Sequence, residues 1–227
     1  MDKSPASWTR PDTEHPRKKL VLAALKLFAD KGFEGASTRE IADAAGANIS
    51  AIRYYFGDKA GLYRAAFTEL CDPHACGGFD AALSMDQALG RFFAEFLEPL
   101  KQGETLRLVM KLHFREMIEP TGVWAAEIQS EIKPQHQLMV SMLTQRFGIS
   151  APDLDVQRLA LSIVGMAVHY YVGQDVIAAI APDVLANADA IDTLAERLAQ
   201  YANAMIEAEA VRRGITTQNV NESARDA

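Results

Sequence analysis

Two cysteines in a chain of 227 residues are too few for a disulfide framework, and such scarcity fits a reducing cytoplasm. Long hydrophobic runs are missing as well. The longest uncharged apolar stretch, 159–173, contains His169 and falls short of the ~20 residues of a membrane span, so no membrane partner is expected. Residues 1–16 are polar, include three prolines and lack the apolar centre of a secretion signal, so a cytoplasmic protein is expected. No segment sustains the period-two alternation of a half-buried strand. Nor does the chain contain an HExxH pair, a phosphate-binding loop, a G-x-G-x-x-G turn after a strand or a nucleophile elbow. His113 and Glu116 lie one helical turn apart, but a lone pair of this kind is more often a hydrogen bond than an acid–base couple. An enzyme is therefore not expected, and no cofactor is implied.

Basic residues are outnumbered, 23 against 30, for a net charge of −7. As a whole, so acidic a chain does not have the profile of a nucleic-acid binder. The average conceals an asymmetry. Residues 17–64 hold 9 basic and 5 acidic side chains, a net of +4, whereas residues 71–227 hold 12 and 21, a net of −9. A basic head on an acidic body is the distribution expected where only the head meets phosphate.

The head carries the strongest local signals. Ser37 and Glu40 have the S-x-x-E spacing of a capping box, so a helix starts near Thr38. Gly46 follows the apolar Ile41, Ala42 and Ala45 and can take the positive φ that ends a helix without a Cβ penalty. Asn48 is a good N-cap for a further helix, in which Ala47, Ile52 and Phe56 recur at near-helical spacing and are expected to face inward. Ile49, Ser50, Ala51, Arg53, Tyr54 and Tyr55 then point outward or sideways. The pattern is a helix-turn-helix. Its outer face, small residues with one arginine and two tyrosines, suits a helix laid in the major groove of double-stranded DNA. The plainer reading is a solvated amphipathic helix, since the same geometry occurs in proteins that never touch DNA.

Everything else reads as helix, which makes the expected fold all-α. A first helix is expected over 16–31, with Leu20, Ala24, Leu27 and Phe28 on one face and Gly32 ending it. Asp58 caps another, where Leu62, Ala66, Phe67 and Leu70 keep the helical period. Residues 71–84, rich in glycine and small residues, read as a connection. Two amphipathic helices follow, and Pro120 ends the second. A long helix is expected over 122–147, kinked or divided after Lys133 by Pro134. Residues 153–181 are apolar on more than one side, and 186–213 carry Ile191, Leu194, Leu198, Tyr201 and Met205 on a single stripe. The organisation so read is a flexible arm over 1–15, a helix-turn-helix DNA-binding domain over 16–70, a connection over 71–84, a helical ligand-binding and dimerisation domain over 85–213, and a flexible tail over 214–227. Arg10 in the arm, with Arg17, Lys18 and Lys19, can brush DNA, though a plain disordered terminus is commoner.

A helix that is apolar all round must be buried on every side. The region 156–177 and the region 194–205 are therefore expected to form a four-helix seam between two copies, with packing inside one chain as the alternative. Met110, His113, Phe114, Met117, Trp124, His136, Met139, His169 and Tyr170 combine aromatics and thioethers with a few polar tips, the mixture of an apolar ligand pocket. Each taken singly is more often an ordinary core residue. Cys71, Asp72, His74 and Cys76 form a C-x-x-H-x-C run. It has no second ligand pair at matching spacing, and structural zinc wants four ligands, so no metal is expected.

Thr38, Ile41-Ala42, Gly46, Tyr54-Tyr55-Phe56 and Lys59 resemble the DNA-binding heads of the TetR family of transcriptional regulators. Residues 114–121, Pro134-Gln135-His136 and residues 162–165 resemble a subgroup of that family, the CecR-like regulators. The resemblance implies an all-helical homodimer whose heads bind a near-palindromic operator and whose body binds a small molecule that changes the spacing of the heads, usually with repression relieved by that ligand; the residue mixture of the body makes a small apolar or aromatic effector the expectation. Carried over by position, Thr38, Arg39, Tyr55 and Lys59 contact phosphate. Asn48, Ile49, Ser50, Ala51, Arg53 and Tyr54 fall where the family reads bases or the adjoining backbone. The chain departs from the pattern at Arg53, where tyrosine is frequent, and at Tyr55, where histidine is frequent. Arg53 can therefore read guanine or hold phosphate, and Ile49 can meet a thymine methyl or pack on the edge of the first helix. The rival class is an all-helical small-molecule binder or adaptor whose helix-turn-helix grips a protein. Salt separates the two, because only binding to phosphate weakens steeply as salt is added.

Overall fold

The computed structural model describes residues 16–70, 78–125 and 128–215. Among these residues every regular element is helical and no strand occurs. The chain divides into two compact units, Met1–Leu70 and Cys71–Ala227.

The N-terminal unit holds α1 (Pro16–Gly35), α2 (Thr38–Ala44), α3 (Ile49–Phe56) and α4 (Lys59–Thr68). Regular geometry in α1 breaks at Gly32, whose φ of 74° only glycine adopts cheaply. Leu20, Ala24, Leu25, Phe28, Ile41, Ile52, Leu62, Ala66 and Phe67 are buried together as its core. Leu27 is only half-buried. Phe28 and Phe33 both meet the ring of Tyr63 edge-on, at 4.9 and 5.1 Å, a geometry that adds about 0.5–1.5 kcal/mol per pair beyond the area buried. Asp58 caps α4 by accepting the Gly61 N–H at 2.8 Å. That helix stops at Thr68, so Leu70 lies past its end, half-buried.

The C-terminal unit holds α5 (Met85–Lys101), α6 (Glu104–Ile118), α7 (Lys133–Arg146), α8 (Leu154–Val172), α9 (Gln174–Ile180) and α10 (Ala188–Arg212). A second capping box, Ser84 with Gln87, starts α5, and α10 packs along its length. Leu89, Phe93, Leu97, Met139, Leu143, Val156, Ile163, Ala167, Leu198 and Ile206 form one buried cluster. At its edge Arg213 bonds Asp153 at 2.8 Å and Glu209 at 2.7 Å and lies 5.0 Å over the Phe147 ring. These bonds tie the start of α8 to the end of α10. Asp153 titrates well below the usual carboxylate range, chiefly because of its bond with Arg213.

Two expected helices differ in the structure. The helix expected over 122–147 is not continuous: Gly122 has a φ of 89°, and a π-helical turn, Ile128–Ile132, leads into α7. The division falls before Lys133, because Pro134 sits in the first turn of α7, where its missing N–H costs nothing. The stretch 153–181 is two helices bent by 77° about Gly173. A Cβ there would stand 3.0 Å from the His169 carbonyl oxygen, so glycine permits the bend. Tyr201, on the apolar stripe of α10 in the region expected at the seam, is 55% exposed. No single helix among the described residues is long and apolar enough to cross a membrane, and α8 with α9 passes that test only as the bent pair.

Candidate nucleic-acid interface

The recognition face is assembled by local bonds. Ser37 Oγ accepts the Glu40 N–H at 3.1 Å, and Glu40 Oε2 accepts the Ser37 N–H at 3.1 Å, so the capping box of α2 is closed. Lys31 Nζ reaches Glu40 Oε1 at 2.8 Å and, with the Ser37 donors, holds the Glu40 carboxyl down at about 2. Gly46 has a φ of 60°, and the Ala47 N–H donates back to the Ala42 carbonyl at 2.9 Å. That turn ends α2 and leads into α3. Gly57, with a φ of 81°, closes α3.

On α3 Ile52 is buried and Phe56 half-buried, and Ala47, just before the helix, is half-buried as well. Asn48, Ser50 and Arg53 are exposed, Ile49 is 51% exposed, and Tyr54 is 82% exposed with its ring 4.9 Å from that of Tyr55. Ala51 and Tyr55 are half-buried at the flank. Thr38, Ile49, Ser50, Arg53 and Lys59 line one cleft along the head. Arg39 is exposed one residue beyond Thr38. The face thus offers hydroxyl and amide groups, a guanidinium and an ammonium beside small and apolar side chains, which is what base edges and phosphates require.

Three features of the head arise from contacts made only on folding. Arg17 is held by a two-pronged bond to Glu69, at 2.6 and 2.5 Å, and lies 5.0 Å over the Phe56 ring. It fastens α1 to α4 and is not an idle cation awaiting phosphate. Lys59 Nζ lies 4.6 Å over the Phe33 ring, which aims it. Gly61 is the third: a Cβ there would stand 1.9 Å from the Phe56 carbonyl oxygen. Its one signal in the sequence is a glycine inside the first turn of a capped helix.

In the C-terminal unit the expected pocket residues separate. Met110 and His113 on α6 and Met139 on α7 are buried, and Phe114 is half-buried with its ring 5.1 Å from that of Tyr171. His113 Nδ1 donates to the Val109 carbonyl at 2.8 Å, since a carbonyl only accepts. Trp124 and Tyr170 are half-buried, and His136 Nε2 bonds Gln157 Oε1 at 2.7 Å. Met117 is 52% exposed and His169 is exposed, because both project from the outer faces of their helices, away from the core that holds Met110 and Met139. Cys71, Asp72, His74 and Cys76 lie outside the described residues, as does Arg10. Among the described residues no three His, Cys, Asp or Glu side chains gather as a metal site.

Residues 20–66 match the model of the tetR family of bacterial regulatory proteins. Residues 85–209 match the C-terminal domain of the HTH-type transcriptional dual regulator CecR. The CecR protein of Shigella flexneri is 30% identical over 72% of this chain and 79% of its own length. Among solved structures, a mutant of HlyIIR shares the fold with a TM-score of 0.59 at 18% identity, over 84% of this chain and 97% of that one. AibR, solved with isovaleryl coenzyme A and operator DNA, shares it with a TM-score of 0.55 at 21% identity, over 69% and 86%. With a helix-turn-helix whose α3 turns its polar face outward and these matches over both units, the chain belongs to the TetR family of DNA-binding transcriptional regulators, in the group that carries a CecR-type C-terminal domain.

Proposed function

We propose that the protein is a ligand-responsive repressor that binds a near-palindromic operator as a homodimer and is released from it by a small apolar or aromatic effector. The observation that carries this reading is the outward face of α3, where Ile49, Ser50, Arg53 and Tyr54 stand exposed on a head of net charge +4 within residues 17–64. Arg53 and Asn48 to Ala51, with Tyr54, meet base edges or the adjoining backbone, while Thr38, Arg39, Tyr55 and Lys59 hold phosphates.

Dimerisation is supported by unpartnered apolar surface on the helices expected to form the seam. Leu161 and Val172 on α8, Val176 and Ile180 on α9, and Tyr201 and Val211 on α10 are each more than half exposed. Leu161, Gly165, His169 and Val172 recur on one helical face, so His169 belongs to the seam in this reading. The effector site is narrowed to the inner side of α6 and α7, around Met110, His113, Phe114 and Met139. AibR offers a precedent for a ligand and an operator on one fold. Because the Shigella relative is named a dual regulator, promoter output is measured in both directions. The protein acts in the cytoplasm, where its operator is.

The test is equilibrium binding to an operator selected from random duplexes, measured as salt is raised. A protein that neutralises several phosphates loses affinity steeply, with a log–log slope of about −0.9 per phosphate contacted. A flat salt response, or operator binding that Arg53→Ala leaves untouched, contradicts the reading.

A further inference from the structure

We propose that Asn48 and Ser50 act as one unit that reads adenine and rejects guanine, an inference that rests on α3 being the element in the groove. The Ser50 N–H donates to Asn48 Oδ1 at 2.9 Å. An amide nitrogen could not accept that bond, so the orientation of the Asn48 side chain is fixed, with its oxygen toward Ser50. The Ser50 hydroxyl oxygen lies 2.9 Å from the same Oδ1. A carbonyl oxygen only accepts, hence the hydroxyl is the donor. Its one proton is committed inside the head, and Ser50 Oγ presents only lone pairs outward. Asn48 Nδ2 keeps both protons and donates to no atom among the described residues.

Asn48 and Ser50 are both exposed, so the start of α3 displays a donor next to an acceptor. Adenine shows the complement in the major groove, an N7 acceptor beside an N6–H donor, whereas guanine shows two acceptors, N7 and O6. An unrestrained serine hydroxyl would be indifferent, donating to O6 or accepting from N6–H as the base requires. The restrained one sets lone pair against lone pair when guanine is opposite. Ile49, 51% exposed between the two polar residues, is placed for the methyl group that the paired thymine presents in the same groove. Adenine bonds Ser50 Oγ through N6–H and accepts from Asn48 Nδ2 at N7.

The test compares half-site preferences of the full-length protein and of Ser50→Ala, both selected from random duplexes, then measures affinity for operators in which one adenine is replaced by purine, which lacks the 6-amino group. The wild type should prefer adenine over guanine at one position per half-site, and the purine replacement should weaken it by about 5-fold to 100-fold. Ser50→Ala should lose that preference and be insensitive to the replacement, with the rest of the motif retained. Asn48→Asp, which keeps an oxygen to cap and restrain Ser50 but has no amide protons, should still reject guanine, and replacing adenine by 7-deazaadenine should weaken the wild type but no longer weaken this variant. A motif in which Ser50→Ala alters no position, or alters one that holds guanine, overturns the inference while leaving the interface intact. If no preferred motif emerges at all, the inference and the reading of α3 fail together.

Discussion

Replacing Gly61 with alanine tests whether the head is built as described, because two opposing effects decide the sign. In an unobstructed helix the change from glycine to alanine is favourable by about 0.5–1 kcal/mol. At Gly61 the new Cβ would sit 1.9 Å from the Phe56 carbonyl oxygen, which is backbone and cannot rotate away. The junction of α3 and α4 must move instead, a disturbance of the overpacking kind that costs about 1–3 kcal/mol. The clash wins, for a net loss of about 1–2 kcal/mol and a fall in Tm of about 2–8 °C in a chain of this size. Gly90, in the middle of α5, is the control: nothing lies within 4 Å of its ideal Cβ, so Gly90→Ala should raise stability by about 0.5–1 kcal/mol. Thermal unfolding of the two variants beside the parent, followed by circular dichroism, reads both signs. A Gly61→Ala protein as stable as Gly90→Ala would refute the close approach of α4 to the end of α3.

Other expectations follow from the same geometry. Arg53→Ala should cost about 1–3 kcal/mol of discrimination at one base position, seen as a flattened column in the selected motif, with the oligomeric state unchanged by sedimentation. Leu161→Asp places a charge on the exposed apolar face of α8 and should convert the proposed homodimer to monomer in sedimentation while the helical signal stays intact; a dimer left unchanged by it would remove α8 from the proposed seam. Glu40 is depressed in the folded head to about 2 from an ordinary 4.5, so its contribution is complete above the unfolded value and is lost as pH falls from about 4.5 towards 2. Urea midpoints of wild type and Glu40→Gln should therefore converge as pH falls from about 4.5 towards 2, the window in which the unfolded chain takes up the proton and the folded head does not.

What could be read in the sequence is what depends on neighbours along the chain. The starts of α2, α3 and α4 are set by Ser37, Asn48 and Asp58 acting on amides two or three residues away, and the ends by Gly46 and Gly57, so side-chain type and spacing suffice. Contacts that join distant segments left no such trace. Arg17 looks like any basic residue near a DNA-binding head, and only folding brings Glu69, 52 positions on, against it. The Phe79 N–H finds Gln135 Oε1 at 2.7 Å across 56 positions, with no motif to announce it. The pocket residues illustrate the converse. Met117 and Met139 carry the same side chain, yet one is 52% exposed and the other fully buried, because burial is a property of helix packing and not of residue type. The bend at Gly173 is intermediate: the glycine was visible at the end of an apolar run, but a glycine inside such a run is compatible with a straight helix as well.

The central claim is that α3 enters the major groove twice per assembly, and chemical protection of guanine N7 on the selected operator addresses it most directly, since N7 is reached only from that groove. Bound protein should protect N7 atoms in two patches related by a two-fold axis, on one face of the duplex and about one helical turn, or a whole multiple of it, apart. A single patch, or full binding with every N7 still reactive, would contradict the account.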